Sequence, residues 1–162
     1  MNAPAARAPI VPTQLILGPR DRLVNWAAAR IAHMHGQTFP ASATAVGVGV
    51  DGELAGVIVF SDWRPRFGTM QVSAAAVDAR WMRCRAAFDW MWNYAFCECD
   101  VTKLWSVTPA RNRRALKFVW GLGFEEEARL ARHFGDDDAV ISRRFRDDHY
   151  NNRHTGRSTC LR

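Results

Sequence analysis

The segment Asn112-Arg113-Arg114-Ala115-Leu116-Lys117-Phe118-Val119-Trp120-Gly121-Leu122-Gly123-Phe124 constrains this chain most, because it encodes both ends of one helix and the strand after it. An asparagine side chain accepts hydrogen bonds from the first free amides of a helix, so Asn112 marks a start. Ala115, Val119 and Leu122 then recur at spacings of three and four, on one face. Gly123 suits the left-handed residue that closes a helix, and Phe124 leads into a strand. The segment therefore reads as the second half of a strand–helix–strand unit.

The same patterning extends along the chain. A first strand is expected around Gln14 to Leu17, and Leu23, Ala27 and Ile31 predict an amphipathic helix over 20–34, closed by Gly36. Thr44 to Val50 and Leu54 to Phe60 are apolar, β-branched runs flanking Asp51-Gly52-Glu53, a hairpin signal. A further strand over 68–76 places Met70, Val72, Ala74 and Ala76 on one side. Trp81, Cys84, Phe88, Trp92, Ala95 and Phe96 fall at helical spacing and predict one long buried helix. Lys103 to Thr108 reads as a strand ended by Pro109, and strands over 124–134 and 139–145 form a last hairpin about Gly135. The order is strand, helix, three strands, helix, strand, helix, two strands. It predicts an α+β fold with a mixed, mostly antiparallel central sheet flanked by helices.

A chain of 162 residues suffices for one domain with a real core. We place that domain at 13–147, after a flexible arm over 1–12 and before a polar, basic tail over 148–162. No apolar run is long enough to span a bilayer and no secretory signal opens the chain, so the expected location is cytoplasmic, with no membrane partner. Cys84, Cys97, Cys99 and Cys160 show no zinc-ribbon or disulfide-scaffold spacing and are expected as free thiols. Cys97-Glu98-Cys99 and His33-Met34-His35 each lack a second matching pair, so no metal site is expected. A net charge of +6 favours anionic partners, whether a phosphorylated cofactor, nucleic acid or an acidic protein face.

The Asn-x-x-Ala opening and Leu-Gly-Phe close of the 112–124 segment resemble the last helix of the GNAT superfamily, the acyl-CoA-dependent N-acyltransferases. The element order is similar to that fold from about Leu15 to Phe145. Within the superfamily, Trp26 to Ile31, Ala45 to Val48, Ala79-Arg80-Trp81 and Tyr94 to Phe96 look most like the short acetyltransferase-like proteins of phages and prophages. The resemblance implies transfer of an acetyl group from acetyl-CoA to a primary amine of an unidentified acceptor. It implies main-chain pairing of the cofactor arm around Ala74, Ala75 and Ala76, and a place for Asn112 beside that arm, although a plain helix cap explains Asn112 equally well. The phosphate loop of the family overlays Arg80-Trp81-Met82-Arg83-Cys84-Arg85, with arginines where glycines would let the backbone approach a phosphate. Arg80, Arg83 and Arg85 would then grip phosphate through their guanidinium groups, with Cys84 in the same loop.

Two catalytic groups frequent in the family are replaced. Val119 occupies the position of the tyrosine that protonates the departing thiolate, and Gln71, Val72 and Ser73 stand where a glutamate base is common. Ser73 as donor and Asp78 or Asp62 as base are the remaining catalytic candidates. These replacements leave a second reading open, in which the fold serves as a non-catalytic phage subunit, structural or nucleic-acid-associated. A homodimer or a phage particle is the partner either reading would accommodate.

Overall fold

The computed structural model of the protein describes residues 12–151; the expected arm over 1–12, apart from residue 12, lies outside them. β1 (Thr13–Ile16), α1 (Arg20–Ala28), β2 (Thr44–Val50), β3 (Glu53–Arg64), β4 (Thr69–Ala76), α2 (Arg85–Asn93), β5 (Lys103–Pro109), α3 (Arg113–Gly121), β6 (Glu125–Phe134), β7 (Asp137–Phe145) and α4 (Arg146–Asn151) follow in that order. The seven strands form one sheet in the order β1-β2-β3-β4-β5-β7-β6. All neighbours are antiparallel except β4 and β5.

β2 and β3 turn through Asp51 and Gly52, both at positive φ (52° and 83°), the backbone that matches strand twist in a two-residue hairpin. These strands are buried along most of their length because helices cover both faces. On one face Leu23, Val24 and Ala27 of α1 pack with Ala45, Val57, Val59 and Ala75. On the other, Ala87, Met91 and Trp92 of α2, with Phe118 and Val119 of α3 and Leu122 just after it, pack on Val46, Ile58, Phe60, Met70, Val72 and Leu104. Among the described residues no helix is long and apolar enough to cross a membrane.

The long helix expected from Trp81 to Phe96 is three pieces. A 3₁₀ segment spans Ala79–Arg83, Cys84 breaks it with ψ of 80°, α2 follows, and a π turn spans Tyr94–Glu98. All three bury their aromatic side on the same core, so one apolar period runs through a change of backbone. The first expected helix also stops early, at Ala28, with a 3₁₀ turn at Ala32–Met34. The expected tail differs as well. Residues 148–151 belong to α4, and buried His149 lies against Trp92 and Phe96 with ring centroids 4.6 and 5.4 Å apart; the remainder lies outside the described residues. Cys84 and Cys99 carry free thiols, whereas Cys97 is disulfide-bonded, which corrects the expectation of free thiols at that position.

Two glycines are required by what lies against them. A Cβ on Gly123 (φ 85°) would overlap the Arg144 guanidinium, which donates to Leu122 O at the end of α3 and lies over the Trp92 ring. A Cβ on Gly56 would sit 2.5 Å from the Trp81 ring, which is pinned between Phe88 and Phe118 at 5.4 and 5.3 Å. The indole cannot yield without disturbing both helices. Gly56→Ala is expected to lower the unfolding free energy by about 2 kcal/mol, as overpacking does, measured by urea denaturation; a variant as stable as the parent would show that Trp81 moves freely.

Candidate functional site

β4 and β5 pair at three positions only, Thr69↔Lys103, Met70↔Leu104 and Gln71↔Trp105. Beyond them the two strands diverge, and the register decides which backbone groups face the gap. Val77 N–H donates to Ala55 O at 2.9 Å, continuing the unbroken Gly56↔Ala76 to Ser61↔Gln71 ladder. Hydrogen-bonded pairs alternate in an antiparallel ladder, so Ser73 and Ala75 bond to β3 while Val72, Ala74 and Ala76 turn N–H and C=O toward β5. Across the gap, Ala110 N–H donates to Asp138 O at 2.8 Å, in register with Pro109↔Ala139. Val107 therefore turns its backbone toward β4.

The side chains divide the gap into two faces. Ala74 and Ala76 share the α2/α3 face with Met70 and Val72 but are exposed, because the helices do not extend over them. Their methyl groups leave the main chain approachable. Ser73 and Ala75 project to the α1 face, where Ala75 is buried and Ser73 partly exposed. The structure thus brings Ser73, Ala74, Ala75 and Ala76 to the gap, on opposite sides of the sheet.

The loop after β4 is built differently from the sequence expectation. Asp78 caps the 3₁₀ segment, accepting from Arg80 N at 2.9 Å. The Arg80 guanidinium also donates to Asp78 Oδ2 at 2.6 Å and bridges to Asp51 Oδ2 at 2.8 Å. Those hydrogen bonds from the Arg80 side chain hold the Asp78 carboxyl below its ordinary range, and the two aspartates raise Arg80 further. Both residues are engaged with one another, which suits neither a base nor a phosphate ligand. Arg83 is exposed and has no ion-pair partner among the described residues. Arg85 stands in solvent with an Asp89 carboxylate 3.7 Å away, and Cys84 is buried. The amides of Cys84 and Ala87 are taken by Trp81 O and Cys84 O. Asn112 caps α3, accepting from Ala115 N at 3.1 Å, and Val119 packs into the core.

Ser106, which no motif singled out, follows Trp105, the last paired residue of β5. By alternation it shares the α2/α3 face with Leu104 and Thr108. Its Oγ is buried without a hydrogen-bond partner, and a buried hydroxyl in that state is rare. The readable signal was a serine at an inward position of an otherwise apolar alternation.

On the α1 side, the loop after α1 meets the tip of the β6–β7 hairpin, with His33 and Phe134 ring centroids 4.8 Å apart. Burial first, then His35 and His133, hold the His33 pKa below the ordinary histidine value. Among the described residues no group of three His, Cys, Asp or Glu side chains could hold a metal ion.

No family model matches the chain, and no curated protein matches it in sequence. Solved structures do. The spermidine N-acetyltransferase of Vibrio cholerae, solved as a dodecamer, superposes with a TM-score of 0.60 at 15% identity, over 75% of this chain and 73% of that one. The spermidine/spermine N-acetyltransferase SpeG of the same organism, solved with manganese ions, gives 0.66 at 13% identity over 87% and 96%. The chain has the GNAT acetyltransferase fold. The splayed β4–β5 gap is therefore part of a fold shared with N-acetyltransferases, at identities that speak for the fold alone.

The histidine contact generates a pH dependence. An unfolded imidazole protonates near pH 6.5, whereas folded His33 resists protonation, so the unfolded state binds more protons as pH falls. Stability is full above about pH 6.5, declines below it, and levels off once the folded imidazole also protonates. Chemical denaturation from about pH 5 to 7 should show that decline and its reduction in His33→Gln; identical profiles would refute it.

Proposed function

We propose that the protein is an N-acetyltransferase that moves an acetyl group from acetyl-CoA to a primary amine. The observation that carries this reading is the open β4–β5 gap, where Val72, Ala74, Ala76 and Val107 turn backbone groups toward each other's strand. An amide-bearing arm pairs with such an edge as an added strand would, and the alanines admit it closely. The fold shared with the two Vibrio cholerae spermidine N-acetyltransferase structures supports the same reading.

The residues fit the arm better than the pyrophosphate. With Arg80 held by Asp51 and Asp78, and no glycine in the loop, phosphate contact falls to Arg83 and Arg85, both exposed. Such a grip is salt-sensitive.

The thioester supplies an activated acyl carbon; the amine nitrogen bonds to it, the C–S bond breaks, and the leaving thiolate takes a proton. Ser106 relays that proton in this reading, passing its hydroxyl proton to the sulfur as it regains one from solvent so that no alkoxide is left, since its hydroxyl lies beside the divergence of the strands and has no other partner. It replaces the side chain absent at Val119. The amine must also shed a proton, which solvent takes up. Asp78 is not needed for either step.

The acceptor follows from charge. Spermidine is the substrate named for the Vibrio cholerae enzymes, but a chain of net charge +6 repels a polycation at long range. A monoamine, or an amine on an acidic carrier, is favoured here. Calorimetric titration with acetyl-CoA, followed by thiol release with a monoamine panel and spermidine, tests the proposal; no binding at about millimolar cofactor overturns it, since even a weak site of ~4 kcal/mol would register. Ser106→Ala is expected to lower kcat about a hundredfold, within the range for a lost general acid, with acetyl-CoA affinity retained and partial recovery in Ser106→Thr. Unchanged kcat removes Ser106 from the chemistry while leaving the cleft assignment standing.

A further inference from the structure

A second concave site lies on the flank of α3 that faces away from α2. Phe118 marks the α2 flank, touching Trp81 and Phe88 with centroids 5.3 and 6.2 Å apart. The opposite flank, with Arg129 of β6, lines a groove of about 380 Å³ whose walls include Arg113, Leu116, Lys117 and Trp120. That volume falls in the lower part of the ~300–1,000 Å³ range of small-molecule sites.

Charge in this groove is unbalanced. Arg129 is neutralised by a bidentate pair with Glu126, at 2.6 and 2.9 Å. Arg113 and Lys117 have no acidic partner among the described residues, which leaves two positive charges side by side at i and i+4. Trp120, three residues further along the same stripe, is held from beneath by a hydrogen bond from its Nε1–H to Ser142 Oγ at 3.3 Å. The residue is 42% exposed, and this hydrogen bond holds its indole in place. From Arg113 to Trp120 is about 10 Å along the helix, at 1.5 Å per residue, with Lys117 between.

The geometry points to a nucleotide site: a base stacks on Trp120 beside Leu116, and the phosphates of a nucleoside diphosphate reach Lys117 and Arg113. Aromatic stacking accepts any base because every base presents a π-face, and the two cations offset most of the charge of a diphosphate. The site is separate from the β4–β5 gap, so it accepts its ligand whether or not acetyl-CoA is bound, and it stands independently of the proposed acyl transfer.

Titration of the full chain with ADP and with UDP, each with and without saturating coenzyme A, tests this. Binding that persists in the presence of coenzyme A, weakens about tenfold in Lys117→Gln and weakens comparably in Trp120→Leu supports the site. The Lys117 substitution is at an exposed position, so it separates loss of binding from loss of folding; thermal unfolding of both variants checks this. Absence of binding at about millimolar nucleotide, a weak-site threshold near 4 kcal/mol, overturns the proposal. So does affinity unchanged in Lys117→Gln, whether or not coenzyme A, whose own ADP moiety competes for either site, displaces the nucleotide. Tighter binding of a short oligothymidylate than of UDP, lost in the same variants, would also overturn it in favour of single-stranded nucleic acid.

Discussion

Three residues of parallel pairing hold the two halves of this sheet together. β1 to β4 form one antiparallel unit and β5, β7 and β6 another, and they join only through Thr69–Gln71 against Lys103–Trp105. Antiparallel strands twist together along their whole length, but here the common ladder ends early and the strands separate. The helices compensate by bridging the seam: α2 and α3 share one core with strands from both halves. A gap opened by topology is rigid, since its edges remain bonded to β3 and β7, and it needs no motion to expose backbone.

The packing around Trp81 shows how the edge is kept. The indole rests on the bare backbone of Gly56 and contacts both Phe88 and Phe118. It thus ties β3, α2 and α3 just beyond the end of β4. Arg144 makes a comparable tie at the far end of α3, where Leu122 O and the Trp92 face receive its guanidinium. Each contact needs a glycine where a methyl group would collide. The fold therefore spends its conformational freedom at the margins of the cleft, while β2 and β3 are fixed by burial on both faces.

These features differ in how far local sequence could reveal them. β2 and its Asp51-Gly52 turn were legible because a double-sided burial writes itself as an unbroken apolar, β-branched run bounded by a turn dipeptide. Asn112 and Gly123 were legible for a similar reason, since capping is set by residues within one turn. The break at Cys84 was not, because the apolar period is the same on either side of it. α4 was hidden by its polarity: Arg-Asp-Asp-His-Tyr-Asn reads as tail until Trp92 and Phe96 are known to be waiting for His149. In the cleft, the small residues Ala74 to Ala76 were visible, but which of them present their amides depends on the β3 register. Arg80 looked like a phosphate ligand because its distant partner, Asp51, is adjacent only after β2, β3 and β4 have paired.

That distant pairing bears on what kind of enzyme this fold can support. In the region where a phosphate would approach α2, the sequence concentrates Arg80, Arg83 and Arg85, yet one of the three is neutralised by two carboxylates and another faces Asp89. On the far flank of α3, by contrast, Arg113 and Lys117 retain their charge beside a fixed indole. Uncompensated charge near a low-dielectric wall attracts anions more strongly than paired charge on an open surface. Uncompensated positive charge is therefore unevenly placed, with less beside the cleft that the fold provides and more on a flank that the fold leaves uncommitted. In the acyl transfer proposed above, a donor held mainly along its arm, and loosely at its phosphates, would depend on the Ala74–Ala76 edge for affinity and alignment alike.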